Sequence, residues 1–405
     1  MISTVLLFFP LVINTKLKSR FNYKIILFFV ASSLLISSYS ALVSASMQYD
    51  CIGYNKLERL IRISCTEPMH LTDINNKLQN PEVLDFEQDH DYKVWILNAG
   101  ILVDKNSKLV IDSTDTTWLK IVSDGTHGYP ISVLGSLKID SVGISSWDPK
   151  THDYVRFKFD VRPDDGGDYT GVDTIPRPFI RVEEEATGTT DITNSELAYL
   201  GYEDKNDSHG RSGLLYYGGD GSVIKGNYIH NVRFGFYSSG VGNIVLEDNF
   251  VDHTYMYGFD PHTGTHDMII RNNTVHDNGA MGIICSLDCY NITIEGNTVY
   301  KSSGSGIMFS RNMHDSIARN NIVYDEEKCI FLSQSHNNEV YNNSVSNCDR
   351  QGIYVYHNSN LNKIYENKIE NSTQGITVTE DSKNNQIHSN TVPGQGDYEQ
   401  IGEPT

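Results

Sequence analysis

The chain has 405 residues, enough for one large or two medium domains, and carries 32 Lys and Arg against 51 Asp and Glu, a formal net charge of −19. Such an acidic chain argues against nucleic acid as a partner, because binding to phosphates requires a basic surface. If the substrate is itself anionic, positive charge must be concentrated locally within an acidic surface.

Residues 1–46 are predicted to be a targeting segment rather than part of the fold. Basic residues between positions 16 and 24 precede an apolar run over residues 25–43, and small residues follow. This order is typical of a secretory signal peptide. The apolar run is also about long enough to span a bilayer, so an uncleaved membrane tether is the alternative. Both interpretations predict a protein that is secreted, periplasmic or at the outer cell surface.

Residues 47–90 are predicted to form a separate N-terminal segment. Cys51 and Cys65 could close a small loop there, and residues 71–80 are predicted to form a short helix that caps the domain that follows. Six cysteines fit an oxidising compartment.

The remaining four cysteines are interpreted as packed thiols or disulfides. The pair Cys285 and Cys289 is a weak zinc signal, because the next thiol lies forty residues further on. These four cysteines are Cys285, Cys289, Cys329 and Cys348.

Residues 91–392 are predicted to form an all-β, right-handed parallel β-helix. From residue 210 onward, an anchor residue followed by alternating apolar side chains recurs every 22–24 residues. A short strand, a turn and a further strand repeated at this constant length describe the coils of such a solenoid. Residues 91–210 are interpreted as less regular coils, and residues 393–405 as a polar tail. The anchors are Gly213, Gly235, Gly258, Gly282, Gly306, Cys329, Gly352 and Gly375.

Asn recurs with the same period. We expect each of these residues to adopt a left-handed conformation at a corner and to pair its side-chain amide with that of the next coil. Their role is therefore predicted to be structural. The residues are Asn227, Asn249, Asn273, Asn297, Asn321, Asn343, Asn367 and Asn390.

The coil that begins at Gly258 carries a polar stretch, FDPH. Strand alternation predicts that Asp260 and His262 lie side by side on an exposed face, with Phe259 and Pro261 inward. A Pro within a strand removes a ladder donor, and such irregularity is more often tolerated at functional sites. The alternative is a polar turn with a solvent-exposed His. Aromatic, thioether and hydroxyl side chains that would suit sugar binding share this face: Tyr237, Ser286, Met308 and Ser310.

The stretch YGFDPH, residues 257–262, resembles the signature of the mannuronan C5-epimerases, which act on alginate. The resemblance extends over about residues 90–330 and implies a right-handed parallel β-helix. It also implies conversion of β-D-mannuronate to α-L-guluronate within the polymer, by removal and return of the C5 proton. Further segments follow the order of the periplasmic bacterial type: WILNAGILV (95–103), ISSWDP (144–149), RPFIRV (177–182), SELAYLGY (195–202), VRFGFYSSGVGNIVLEDN (232–249) and YGFDPHTGTHDMII (257–270).

The resemblance also implies roles for individual residues. This reaction needs a base, a proton donor on the opposite face and a group that neutralises the sugar carboxylate. His262 is the implied base, and Tyr257 is the candidate proton donor or the residue that orients a water. Asp260 is expected to orient His262 or to bind sugar, and His266 also matches the family pattern.

Two positions depart from that pattern. Thr263 stands where the family often has an acidic residue, and Leu287 stands where the carboxylate-neutralising Arg is expected. Arg311 occupies the equivalent position one coil further on, a displacement of about 4.8 Å. Arg233 and Arg271 are the other candidate cations, and a solvated surface role remains open for each of these arginines.

Two other functions remain open. A polysaccharide lyase would share the proton abstraction but expel the 4-O-glycosidic oxygen. A non-catalytic glycan-binding β-helix on the cell surface, similar in fold to copper-site maturation proteins, would have no turnover. No metal site or cofactor is predicted. Calcium is left open, because some alginate epimerases need the ion. No dedicated calcium module is expected, since the chain has no calcium-binding nonapeptide repeat. We expect a monomer whose partner is an anionic polysaccharide.

Overall fold

The computed structural model describes residues 50–156, 175–204, 211–394 and 398–402. The predicted targeting segment, including the tether at residues 25–43, lies outside these residues, as do residues 395–397 and 403–405 of the predicted tail. Within the described ranges, no helix has the length and apolar character needed to cross a membrane.

The described residues form 37 strands and one α-helix, α1 (Leu71–Leu78). In chain order the strands are β1 (Ile52–Asn55), β2 (Leu60–Ile63), β3 (Leu84–Asp89), β4 (Tyr92–Leu97), β5 (Gly100–Val103), β6 (Lys108–Asp112), β7 (Trp118–Val122), β8 (Pro130–Val133), β9 (Ser136–Asp140), β10 (Gly143–Trp147), β11 (Phe179–Val182), β12 (Thr190–Thr193), β13 (Glu196–Ala198), β14 (Gly213–Tyr216), β15 (Val223–Lys225), β16 (Tyr228–His230), β17 (Phe234–Ser239), β18 (Val245–Glu247), β19 (Phe250–Asp252), β20 (Phe259–His262), β21 (Ile269–Arg271), β22 (Thr274–His276), β23 (Ile283–Ser286), β24 (Thr293–Glu295), β25 (Thr298–Tyr300), β26 (Ser305–Ser310), β27 (Ile317–Arg319), β28 (Ile322–Tyr324), β29 (Lys328–Ser333), β30 (Glu339–Tyr341), β31 (Ser344–Ser346), β32 (Gln351–Tyr356), β33 (Lys363–Tyr365), β34 (Lys368–Glu370), β35 (Gln374–Thr379), β36 (Gln386–His388) and β37 (Glu399–Ile401).

These strands form three long sheets, and each regular coil contributes one strand to each sheet, which confirms the predicted parallel β-helix. The pairs β1–β2 and β3–β4 are antiparallel, and the other registered pairs among the described strands are parallel. The first sheet contains β20, the strand of the FDPH stretch, and is called the site sheet. Its order is β1-β2-β5-β8-β11-β14-β17-β20-β23-β26-β29-β32-β35-β37. The second sheet has the order β3-β4-β7-β10-β13-β16-β19-β22-β25-β28-β31-β34, and the third runs from β6 to β36 through every third strand.

The core lies inside the coils, where side chains of the same kind stack from one coil to the next. Alternation along each strand of the site sheet sends every second residue inward, and the predicted inward positions are buried. Removing this apolar surface from water stabilises the solenoid by roughly 25 cal/mol for each Å² buried. Fully buried examples are Phe259, Ile283, Ile307, Phe309, Ile330, Leu332, Ile353 and Val355.

A ladder of buried Asn side chains runs along the solenoid, as predicted. The Asn297 amide donates to the Asn321 side-chain oxygen at 3.0 Å, and its own oxygen accepts from the Asn273 amide at 2.9 Å. The left-handed conformation was assigned to the wrong residue. It occurs one position earlier, for example at Asn272 (φ 56°) and Asn320 (φ 57°), because the chain turns before the ladder residue points inward.

The N-terminal end of the solenoid is closed by the hairpin β1–β2 and by α1. A disulfide joins Cys51 and Cys65 across the hairpin, and α1 buries Leu71 and Ile74. The helix ends two residues before the predicted boundary, because Gln79 adopts a left-handed conformation with φ 45°.

Of the other cysteines, Cys329 and Cys348 form a disulfide, whereas Cys285 and Cys289 are buried free thiols. Both outcomes left open by the sequence therefore occur.

Asn297→Ala should destabilise the solenoid by about 2–4 kcal/mol, because each buried donor or acceptor left without a partner costs about 1–3 kcal/mol. Its removal takes away the acceptor used by both the backbone and the side chain of Asn273. The measurement is urea unfolding followed by circular dichroism. Asn320→Gly is the control, because this exposed residue already has a positive φ, and it should stay within about 0.5 kcal/mol. Equal losses in the two variants would contradict a structural role for the ladder.

Candidate active site

The predicted site strand, β20, lies in the middle of the site sheet between β17 and β23. On the β17 side its residues pair in continuous register, with Asp260 opposite Tyr237. On the β23 side only Phe259 and His262 keep a registered partner. The interruption falls at Pro261, which has no N–H to give to the ladder.

The prediction of an open, exposed face around this strand is wrong. Asp260 is 1% exposed and His262 is 8% exposed. Alternation sets the direction of a side chain, but not what covers it. The Tyr237 ring lies 5.6 Å from the His262 ring, and the Arg311 side chain reaches His262 from two coils further along the chain.

Arg311 joins two neighbouring coils to the site strand. Its Nε–H donates to Ser286 Oγ at 2.8 Å, and its Nη2–H donates to His262 Nε2 at 3.2 Å. The side chain therefore leans back over the coil of β23 and brings its charge to β20. Arg311 lies one coil beyond Leu287, where the cation was expected. The length of its side chain spans this displacement.

The corner after β26 gives Arg311 this direction. The residue that follows each neighbouring strand of the site sheet turns with a positive φ, including Arg311 at 50° and Leu287 at 58°. The backbone N–H of Arg311 donates to the carbonyl of Ser333 in the next coil. Because all these corners are alike, the residue at this position is directed in the same way in each coil.

The hydrogen bonds of His262 determine which ring nitrogen carries the proton. A guanidinium has only donors, so Nε2 must accept from Arg311 and has no proton. A neutral imidazole then carries its proton on Nδ1, which lies 2.7 Å from Thr263 Oγ1. Thr263, which stands where the family often has an acidic residue, thus accepts from His262. No role was predicted for Thr263, although its position directly after His262 is a signal that could have indicated one.

Tyr257 lies between apolar and charged neighbours. Its ring packs edge-on against Phe234 at 5.3 Å, beside the buried cluster that contains Tyr237. Burial raises the pKa of Tyr257, the Asp260 carboxyl raises it further, and the positive charges of two arginines oppose the shift. The phenol is therefore protonated at neutral pH. The two arginines are Arg311 and Arg233.

Arg233 is buried beside this cluster, where its Nη1–H donates to Ser212 Oγ at 3.1 Å. Its guanidinium also lies over the Phe234 ring. The candidate site thus contains two cations, although the whole chain is acidic.

The Asp260 carboxyl is buried, and neither of its oxygens has a hydrogen-bond partner. It does not hydrogen-bond His262, so the structure does not show the orienting contact that was one of its two expected roles. Burial raises the pKa of Asp260 well above its usual range, and the charge of Arg311 only partly offsets this. This environment favours the neutral form of the carboxyl, which can donate a hydrogen bond.

Two further predicted site residues have partners other than those of His262 and Asp260. Arg271 is on β21 in the third sheet, where it pairs with Glu247 at 2.8 Å. It was assigned from its type and position in sequence, which do not identify the sheet. His266 stacks on Tyr290 at 5.0 Å in a ladder of corner rings and contacts Asp267 through Nδ1.

The remaining predicted residues lie in the neighbouring coil. Ser310 is buried and Met308 half-buried on β26, which pairs with β23. Arg311 also borders an open cleft of about 440 Å³. The cleft is lined by Leu287, Asp288, Arg311, Asn312, Gln334, His336 and Asn358.

A possible metal cluster among the described residues lies away from this site, at the N-terminal end of the solenoid. His70, Asp112 and Asp115 place ligand atoms within 4.8 Å of one another. The Asp112 and Asp115 oxygens already accept hydrogen bonds from Thr114 and Thr72. These contacts account for the two carboxylates without a bound ion.

The family model described as periplasmic copper-binding protein (NosD) matches residues 186–392, just over half of the chain. The chain belongs to the NosD family. Comparison with curated protein sequences finds no significant match.

Solved structures similar to this NosD family member include alginate epimerases. The periplasmic alginate epimerase AlgG has a TM-score of 0.66 at 22% identity, over 85% of each chain. A double mutant of AlgG has a TM-score of 0.68 at 21% identity, over 82% of this chain and 85% of that one. The A-module of the mannuronan C-5 epimerase AlgE6 from Azotobacter vinelandii has a TM-score of 0.51 at 14% identity, over 75% of this chain and 89% of that one. At these identities the likeness shows the fold alone.

Asp260→Asn should become progressively more stable than the wild type as the pH rises above about 4. In the unfolded chain an Asp ionises near pH 3.9, whereas folded Asp260, whose pKa is raised, stays protonated. The wild type therefore loses stability with rising pH, by up to about 1.4 kcal/mol per pH unit for one proton. The variant has no such proton.

The measurement is the free energy of unfolding of both proteins at pH values from 4 to 8. Thr377→Val is the control, because Thr377 is buried, lies in the same column of the site sheet and has a hydroxyl without a partner, but does not titrate. Its effect should not vary with pH. A pH-independent difference for Asp260→Asn would contradict a neutral carboxyl.

Proposed function

We propose that this protein is a polyuronate C5-epimerase that converts β-D-mannuronate to α-L-guluronate residues within a polymer. The observation that carries the proposal is the partly buried contact between Arg311 and the unprotonated Nε2 of His262. It places a base and a cation together, as abstraction of a proton next to a carboxylate requires. The likeness to alginate epimerases supports the fold on which this site is built.

In the proposed reaction, His262 Nε2 takes the C5 proton and Arg311 pairs with the sugar carboxylate. The charge that develops on the carboxylate as the C5–H bond breaks is stabilised by the guanidinium, and a single such donor is typically worth about 10²–10³ in rate. Tyr257, held protonated, returns a proton to C5 from the opposite face. A proton then passes from His262 back to Tyr257 through solvent, which completes the cycle.

The neutral Asp260 carboxyl also has a place in this proposal. A protonated carboxyl in an apolar site can donate a hydrogen bond to a developing negative charge. It also avoids placing a second negative charge beside the sugar carboxylate. Hydrogen-bond donation by Asp260 therefore takes the place of the expected role of orienting His262, because Asp260 makes no hydrogen bond to His262.

The lyase alternative uses the same residues and differs in the fate of the glycosidic bond. The copper binding named in the family description is a separate alternative. At the candidate site the Nε2 of the His262 imidazole already accepts from Arg311. Burial raises the pKa of the nearby Cys289 thiol to about 12, so it stays protonated and is a poor metal ligand. These features favour the enzyme.

Polymannuronate incubated with the protein in deuterated water should gain deuterium at C5 and guluronate signals in its NMR spectrum. His262→Gln should lower this rate by at least about 10²-fold, because the base is lost. A rise in ultraviolet absorbance from unsaturated chain ends would identify a lyase instead. Absence of turnover on any polyuronate, with or without calcium, would reject the proposal, and tight copper binding by the inactive protein would then favour the family description.

Moving the cation back by one coil tests the role of Arg311. Arg311→Leu should lower kcat/KM by about 10²–10³-fold. The double variant Leu287→Arg/Arg311→Leu should regain part of this loss, because both positions have the same corner conformation. Leu287→Arg alone is the matched control for the strain of the new side chain. Full activity of Arg311→Leu would exclude Arg311 as the neutralising cation.

A further inference from the structure

We infer that Arg311 holds the base in a blocked state and that a sugar carboxylate is the group that releases it. The inference rests on the proposed function and adds a source of substrate specificity to it. It concerns three side chains whose contacts are seen directly: His262, Ser286 and Arg311.

The blocked state follows from the position of one lone pair. His262 Nε2 is unprotonated, and its lone pair accepts the Nη2–H of Arg311 at 3.2 Å. The other ring nitrogen, Nδ1, carries the proton and faces Thr263 Oγ1. An imidazole has only one lone pair in this state. The lone pair that must take the C5 proton is therefore occupied, and the contact with Arg311 has to break before the reaction can occur.

The geometry of the guanidinium indicates what breaks the contact. Nε–H and Nη2–H lie on the same edge of the planar group, the edge that binds a carboxylate through two parallel hydrogen bonds. In the free protein that edge is divided between two neutral acceptors, Ser286 Oγ and His262 Nε2. Charge-assisted hydrogen bonds are roughly twice as strong as neutral ones. A carboxylate that reaches this edge would therefore replace both acceptors together.

Such an exchange is accessible from solvent. Ser286 and His262 are buried, but Arg311 itself is exposed and borders the open cleft. A ligand can thus approach the guanidinium without first uncovering the base. The carboxylate would draw the guanidinium toward itself, and Nε2 would become available as the sugar ring settles against it.

The consequence is discrimination between sugars that differ only at C6. A mannose residue has the shape of a mannuronate residue but no carboxylate, so it could occupy the site without releasing His262. Discrimination of this kind comes from a group that must be paired for the reaction to proceed, rather than from shape. Ser286 contributes by holding the guanidinium in the blocked position when the site is empty.

The first test follows His262 Nε2 by NMR in the full protein labelled with ¹⁵N-histidine, with the signal assigned by its loss in His262→Gln. Saturating β-1,4-linked mannuronate oligosaccharide should shift the Nε2 resonance, because the hydrogen bond from Arg311 is lost. The β-1,4-linked mannose oligosaccharide of equal length should leave it in place. An unchanged resonance with bound mannuronate, or equal shifts with both sugars, would overturn the inference.

The second test measures how fast diethyl pyrocarbonate modifies His262, by peptide mapping of the sugar-free protein. Ser286→Ala should raise the rate about fivefold, the effect of losing one hydrogen bond that stabilises the blocked state. Ser333→Ala is the control, because Ser333 lies in the same column two coils further on. Equal rates in wild type and Ser286→Ala would overturn the role given to Ser286.

The two proposals fail in different ways. If the protein epimerises polymannuronate but the Nε2 resonance does not respond to the oligosaccharide, only the blocked state is rejected. If no polyuronate is turned over, the proposed function is rejected, whatever the resonance does.

Discussion

The structure depends on the constraint that each coil must repeat the length of its neighbours. Only then can the buried Asn side chains meet at about 3 Å from one coil to the next. A buried amide without its partner costs about 1–3 kcal/mol, so an insertion in one coil would be opposed at every step of the ladder that it disrupts. The ladder continues across steps of 22 and of 24 residues, so the coils vary by no more than two residues where it runs.

The same constraint builds the candidate site. Regular stacking puts equivalent residues of successive coils in columns about 4.8 Å apart. A side chain as long as Arg can cross one such step, whereas a Ser or Thr cannot. The candidate site can therefore combine an imidazole from β20, a hydrogen-bond acceptor from β23 and a guanidinium from the corner after β26. An arginine at position 311 and not at position 287 changes the sequence pattern, but its guanidinium still lies next to His262.

This explains which features could be predicted from the sequence. The coils, the inward positions and the Asn ladder follow from period, and period is visible in one sequence. Burial of Asp260 and His262 cannot be predicted from the period, because the side chains that cover them, Arg311 and Tyr237, come from other coils. The reach of Arg311 depends on a corner with φ 50°, a conformation that the residue type does not reveal. Arg271 was misplaced because its sheet is set by position within the coil.

Charge is the remaining constraint, since a protein of net charge −19 would have to attract an anionic polymer. The region around Tyr257 resolves this locally. The positive charges of Arg311 and Arg233 both act on the Tyr257 phenol. Burial raises the pKa of the Asp260 carboxyl well above its usual range, which disfavours a negative charge two residues from His262. A sugar carboxylate would therefore meet the positive charge of Arg311 beside His262, although it approaches through an acidic surface.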